Sequence, residues 1–202
     1  MALLFANNNS LSAITALPAS ISGGAMTLIS TQTASSSSTI SFTSGIDSTY
    51  DEYVFKFYNI HPSSDSGLQL QFNGSADTGS NYNVTKTATH FSAYHYESDA
   101  YTALGYNTYY DIAQGTGFQT ISTNIGGDND QCGSGYIHLF NPSSTTFAKH
   151  FIGNVSFVQS DDVARIDYVA GYFNTTSAVD AVQFKFSSDN IDSGVIKLYG
   201  VS

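Results

Sequence analysis

The sequence predicts an all-β fold: an antiparallel two-sheet sandwich, jelly-roll-like, with an extended N-terminal arm. Three observations predict it. Stretches of period-two alternation recur through the chain, with turn signals between them. No window sustains an amphipathic helix. The 14 Tyr and 14 Phe supply large buried areas in a chain that has no Trp and only three Pro. At 202 residues the chain suits one well-cored domain, and it shows neither an internal repeat nor a linker between two domains.

The elements follow in order. Residues 1–38 contain no charged side chain. Pro18 and Gly23-Gly24 interrupt any helix there, and only Met26–Ser30 reads as a short strand. The segment is expected to be an assembly arm whose contacts are Leu3, Leu4, Phe5, Leu11, Ile14 and Leu17. Its natural place is against a neighbouring subunit, with packing on its own domain as the alternative. Residues 39–202 are the expected sandwich. Thr39–Thr43, Tyr50–Ile60, Leu68–Phe72, Thr85–Glu97 and Tyr106–Ala113 read as strands, as do Gly135–Asn141, His150–Gln159, Ala164–Phe173, Val179–Ser187 and Val195–Val201. In Tyr50–Ile60 both faces carry apolar bulk, which predicts a central strand. The connections are rich in Asn, Asp, Ser and Thr, the residues of Asx and Ser/Thr turns.

Charge narrows the function. Six Lys+Arg against 16 Asp+Glu give a formal net charge of −10. That opposes binding to nucleic acid, which needs a cationic footprint, and docking on an anionic membrane. Only 11% of residues are charged, so the polar surface is mostly Ser, Thr, Asn, Gln and Gly, as in large strand-rich assemblies. The single Cys132 has no partner for an internal disulfide, which fits folding in a reducing cytosol. The first residues lack the basic region of a secretory signal, and no apolar run is long enough for a membrane span. The Asn-x-Ser/Thr sequons at Asn73, Asn83, Asn154 and Asn174 are read as chance.

No constellation resembles catalytic machinery, and no cofactor is expected. A Gly-x-Ser-x-Gly elbow is absent. His90 and His95 lie five apart on one strand, on opposite faces, and the five His show no zinc-ligand spacing. Asp51-Glu52 and Asp161-Asp162 read as edge and turn residues. Asp128 and Asp130 are weak candidates for Ca²⁺, since their loop lacks the 12-residue calcium pattern. The feature that stands out is aromatic: Tyr94, Tyr96, Tyr101, Tyr106, Tyr109 and Tyr110 fall within 17 residues. Tyr combines an apolar ring with a polar tip, so the cluster suits a subunit or glycan contact, or one covered sheet edge.

Four runs, Ile40–Tyr53, His138–Thr146, Gly171–Phe186 and Ile191–Val201, resemble uncharacterised structural proteins of tailed phages of marine bacteria, cyanophages among them. The resemblance extends over nearly the whole chain and carries no catalytic residues. It implies a virion component; the acidic charge places it away from the DNA, on the outer surface of the particle, and it is expected to be made in the host cytoplasm. The expected role is a tail-fibre or tail-associated protein or a capsid decoration protein. The expected partners are itself, as a homotrimer, and other virion proteins. A glycan-binding module for host-surface polysaccharide is the alternative, and a polysaccharide depolymerase a weaker one.

Overall fold

The computed structural model describes residues 26–65 and 67–201. The fold is all-β, with 59% of residues in strands and no α-helix among the described residues. The strands are β1 (Thr27–Thr33), β2 (Ile40–Phe42), β3 (Glu52–Pro62), β4 (Leu68–Ser75), β5 (Lys86–Tyr96), β6 (Thr102–Tyr106) and β7 (Ile112–Gly115). They continue with β8 (Gln119–Ile125), β9 (Gly133–Phe140), β10 (Lys149–Gln159), β11 (Val163–Phe173), β12 (Ala181–Phe186) and β13 (Ile191–Val201).

All pairings are antiparallel, and the sheet curls into a nearly closed, barrel-like wall. Its broad part runs β1-β13-β3-β9-β10-β11-β5, and β6 and β7 lie end to end along the far side of β5. β9 follows β10 as far as Phe157; at Gln159 the partner becomes Ile125 of β8. From there β8-β4-β12-β2 continues as a second run. The long central strand therefore hands its edge from one run to the other, which joins them into one wall.

The alternation sets which side chains face inward. Tyr53, Phe55 and Phe57 of β3, Leu70 and Phe72 of β4, and Phe184 and Phe186 of β12 are all buried. Phe184 meets Phe55 and Phe57 at ring-centroid distances of 5.3 and 5.2 Å, and Phe72 meets Phe151 of β10 at 5.0 Å. Near-perpendicular ring contacts of this kind recur in the core, as the ring quadrupole favours. β3 lies between β13 and β9, the central position its two apolar faces predict.

Curvature has a visible cause. Gly135, Gly153 and Gly171 point inward from β9, β10 and β11, each displaced two residues from the last in register. A Cβ on any of them would lie 2.1–2.4 Å from a carbonyl oxygen of the adjoining strand. This diagonal of missing side chains is a crease along which neighbouring strands approach closely and the wall bends.

Three differences from the sequence reading have physical explanations. β1 pairs with β13 of the same chain from Thr27 to Thr33, and Ser37 bridges Ile191. The domain thus begins ahead of residue 39, because Leu28 and Ile29 and the β-prone Thr-rich stretch after them complete an edge that β13 leaves open. Tyr106–Ala113 is no single strand: the chain breaks at a 3-10 turn, Thr108–Tyr110, between β6 and β7. Asn107 N–H donates to the His90 carbonyl and Asp111 Oδ1 accepts the His90 N–H, so the turn is tied to β5. β8 escapes a pattern search because Gln119, Thr120, Ser122 and Thr123 are buried alongside Ile121 and Ile125. Burial on both faces erases alternation.

Candidate contact surface

The outward positions of the broad sheet form an uncovered face with an unusual composition. Strand register places Lys197 (β13), Lys56 (β3), Tyr136 (β9), Asn154 (β10), Tyr168 (β11), Phe91 (β5) and Tyr106 (β6) directly opposite one another in succession. None of the seven is buried. At roughly 4.8 Å per strand the row spans about 29 Å. Phe91 and Tyr168 stack with centroids 4.8 Å apart and planes 7° from parallel. Asn154 Nδ2 donates to the Tyr136 hydroxyl at 2.8 Å.

Neighbouring rows extend the patch. Tyr199, His138, Ile152 and Ala170 lie in register on one side, around the buried Val54, with Ile166, Ala93 and Leu104 on the other. Leu104 is 75% exposed and Ile152 50%. Between β9 and β11 the face dips into a depression of about 320 Å³, floored by Ile152, Gly153 and Asn154 and walled by Tyr136, His138 and Phe140 on one side and Tyr168 on the other. Glu52 holds the His138 Nδ1. Surface apolar groups scattered singly need no explanation, whereas a contiguous aromatic patch crossing this many strands makes this face the candidate contact surface.

The expected tyrosine cluster divides. Tyr94, Tyr96 and Tyr101 form one group with centroids 5.9–6.4 Å apart, and the Arg165 guanidinium lies 5.6 Å from the Tyr94 ring. Tyr106 belongs instead to the outer row, where its hydroxyl donates to Asp111 at 2.5 Å. Tyr109, 83% exposed, and Tyr110 sit on the 3-10 turn, and Tyr110 packs over His90. Most of the outer row was not singled out from sequence. Its residues come from seven separate strands, and only strand order assembles them. The arm candidates Leu3, Leu4, Phe5, Leu11, Ile14 and Leu17 lie outside the described residues.

The polar interior is a separate feature. Asp167 is buried and accepts from the Thr123 N–H at 2.6 Å, Thr123 Oγ1 at 2.8 Å and Arg165 Nε at 2.9 Å. Arg165 also donates to Gln159 and Ser92. His90 is buried 3.6 Å from Asp167, and neither of its ring nitrogens has a hydrogen-bond partner among the described residues. This network ties β5, β8, β10 and β11 together beneath Tyr110. Lys86 and Lys149 are buried as well. Lys86 donates to the Gly117 carbonyl, and burial pushes its pKa down to about 8. Burial also lowers the Lys149 pKa; its ammonium donates to the carbonyls of Phe147 and Thr175. Asn73 is buried, with its amide donated to the carbonyls of Tyr82 and Thr116.

Asp130 lines a polar hollow with Asn59, His61, Gln131, Cys132 and Asp192, where the register of β3 and β13 slips. No group of three or more His, Cys, Asp or Glu suited to a metal occurs among the described residues, so Asp128 and Asp130 gain no further ligands of that kind. The Cys132 thiol is held above its usual pKa by burial.

The geometry defines a class: an antiparallel, barrel-like β-domain with a broad aromatic outer face. Comparison of the chain with protein-family models, with curated proteins and with solved structures gives no match.

Proposed function

We propose that this chain is a surface-contact subunit of a tailed-phage virion, tail-fibre or tail-associated in first place and capsid-decorating in second. The observation that carries the contact role is the uncovered row from Lys197 to Tyr106, none of whose members is buried. The resemblance of Ile40–Tyr53, His138–Thr146, Gly171–Phe186 and Ile191–Val201 to marine phage structural proteins supports the setting. The body is read as a jelly-roll-like sandwich, with β8-β4-β12-β2 packed through Phe72 and Phe184 over β3, β10 and β11. Residues 1–25, uncharged and set ahead of β1, are the segment proposed to anchor it, in a homotrimer and against other virion proteins.

Two measurements test this. Mass spectrometry of purified particles of the encoding phage should find the chain at structural copy number, and a chain lacking residues 2–25 should fold yet drop out of particles. Absence of the full-length chain from purified particles refutes the reading. The depolymerase alternative gains nothing from the outer face, since no carboxylate lines its depression.

A further inference from the structure

The identity of what the outer face meets is constrained by its charge. The chain has six basic side chains. Lys86 and Lys149 are buried, Arg165 is bound to Asp167, and Lys185 lies over the Phe118 ring in another part of the molecule. The remaining two, Lys56 and Lys197, stand directly opposite each other at one end of the aromatic row. Like charges at directly opposed positions destabilise a sheet. Neither lysine has a carboxylate partner among the described residues. Each is instead fixed over a ring of the same face, Lys56 5.5 Å from Tyr199 and Lys197 5.3 Å from Tyr58. Two ammonium groups are therefore concentrated and oriented on the surface of a protein whose net charge is −10.

Next along the row come groups of a different kind. Tyr136, Asn154, Tyr168, Phe91 and Tyr106 set aromatic rings beside an amide and phenol hydroxyls along the open depression at Tyr168; Phe91 and Tyr168 stack on each other, so a ligand meets their edges and outer faces. A pyranose ring has an apolar C–H face and a hydroxylated rim, and this surface offers both complements. Protein–protein interface cores are depleted in Lys, which argues against a second copy seated here. The row crosses the middle of the sheet and reaches an edge only at the five-residue β6, which is short for pairing with an added peptide strand.

We infer that the outer face binds an acidic polysaccharide, its sugar rings lying along Tyr136–Tyr168–Phe91–Tyr106 and its carboxylate or sulfate groups meeting Lys56 and Lys197. This rests on the reading of that face as the contact surface and names what it contacts.

The test is native affinity electrophoresis of the full chain in gels containing alginate, dextran sulfate or neutral dextran. Retardation is expected in an acidic gel and not in dextran; which acidic gel acts identifies carboxylate or sulfate. Tyr168→Ala should weaken the retarding interaction about tenfold. Lys56→Gln with Lys197→Gln should remove it, and added salt should weaken it for the wild type. Gln183→Ala, on β12 and away from the face, should leave it unchanged. If Tyr168→Ala does not fold, the lysine pair, which lies on the surface, still decides. No retardation in either acidic gel, equal retardation in dextran, or retardation that survives the lysine changes overturns the inference. The virion reading is scored separately: a chain present in purified particles but not retarded sinks the polysaccharide alone, and a chain missing from particles sinks the virion setting whatever the gels show.

Discussion

Phe184 is one of the side chains through which the two runs of the wall hold together, and its truncation has a calculable cost. It is fully buried on β12 and lies 5.2–6.2 Å, centroid to centroid, from Phe42, Phe55, Phe57 and Phe72. Phe184→Ala removes a ring that four other rings surround, and aromatic neighbours collapse poorly into a gap. The expected loss is at the upper part of the about 3–5 kcal/mol range for such substitutions. Against a total stability of about 5–15 kcal/mol, this leaves a marginal protein. At roughly 2–4 °C per kcal/mol for a chain of this length, the melting temperature should fall by about 8–16 °C. Urea unfolding followed by tyrosine fluorescence measures the change directly. Phe184→Leu, which refills part of the space, should recover more than half of the loss. Gln183→Ala, one residue away and facing outward toward Ser41, should cost under about 1 kcal/mol. A Phe184→Ala loss below about 1.5 kcal/mol would refute the claim that β12 closes the core over β3.

Other outcomes follow from particular residues. Gly153→Ala should destabilise by about 1–3 kcal/mol in urea unfolding, since its Cβ would sit 2.4 Å from the Tyr136 carbonyl oxygen. Lys86 has a folded-state pKa of about 8 against an ordinary value of 10.5, so the unfolded chain binds more protons between those pH values. Wild-type stability relative to Lys86→Met should therefore rise with pH across that window and be flat below it, as paired urea titrations from pH 6 to about 10.5 would show. Cys132, its thiol pKa raised by burial, should react with iodoacetamide more slowly in the native protein than in urea, by mass spectrometry at pH 8. Removing residues 1–38 deletes β1 and bares the β13 edge, so that variant should associate in solution by light scattering where one lacking only residues 2–25 does not.

The fold class was legible because most strands bury one face. Leu68-Leu70-Phe72 and Val182-Phe184-Phe186 alternate as written and are buried as written. β8 was not legible, because its polar residues are buried through partners that lie far off in sequence: Thr123 meets Asp167 across 44 residues. The contact face was legible one residue at a time and invisible as a surface. Tyr106 was recognised, whereas Phe91, Tyr136 and Tyr168 each looked like ordinary outward residues of separate strands. What unites them is the order β9-β10-β11-β5-β6, and pattern reading along a single strand carries no information on neighbours in space. The lysine pair is hidden for the same reason, since Lys56 and Lys197 stand 141 residues apart in the sequence.

The margins of the wall carry a further consequence. β2 has only three residues, β6 and β7 divide one margin into two short pieces separated by a 3-10 turn, and β1 closes the other side of β13 with a register shift between Leu28 and Ser30. Among the described residues these margins offer only short or irregular ladders of unused amide groups. Margins of this kind disfavour fusion of neighbouring copies into a continuous sheet and favour meeting through side chains. Contacts of that kind can be made and broken without any chain losing its own pairing, and a dense array of such molecules keeps each one individually folded.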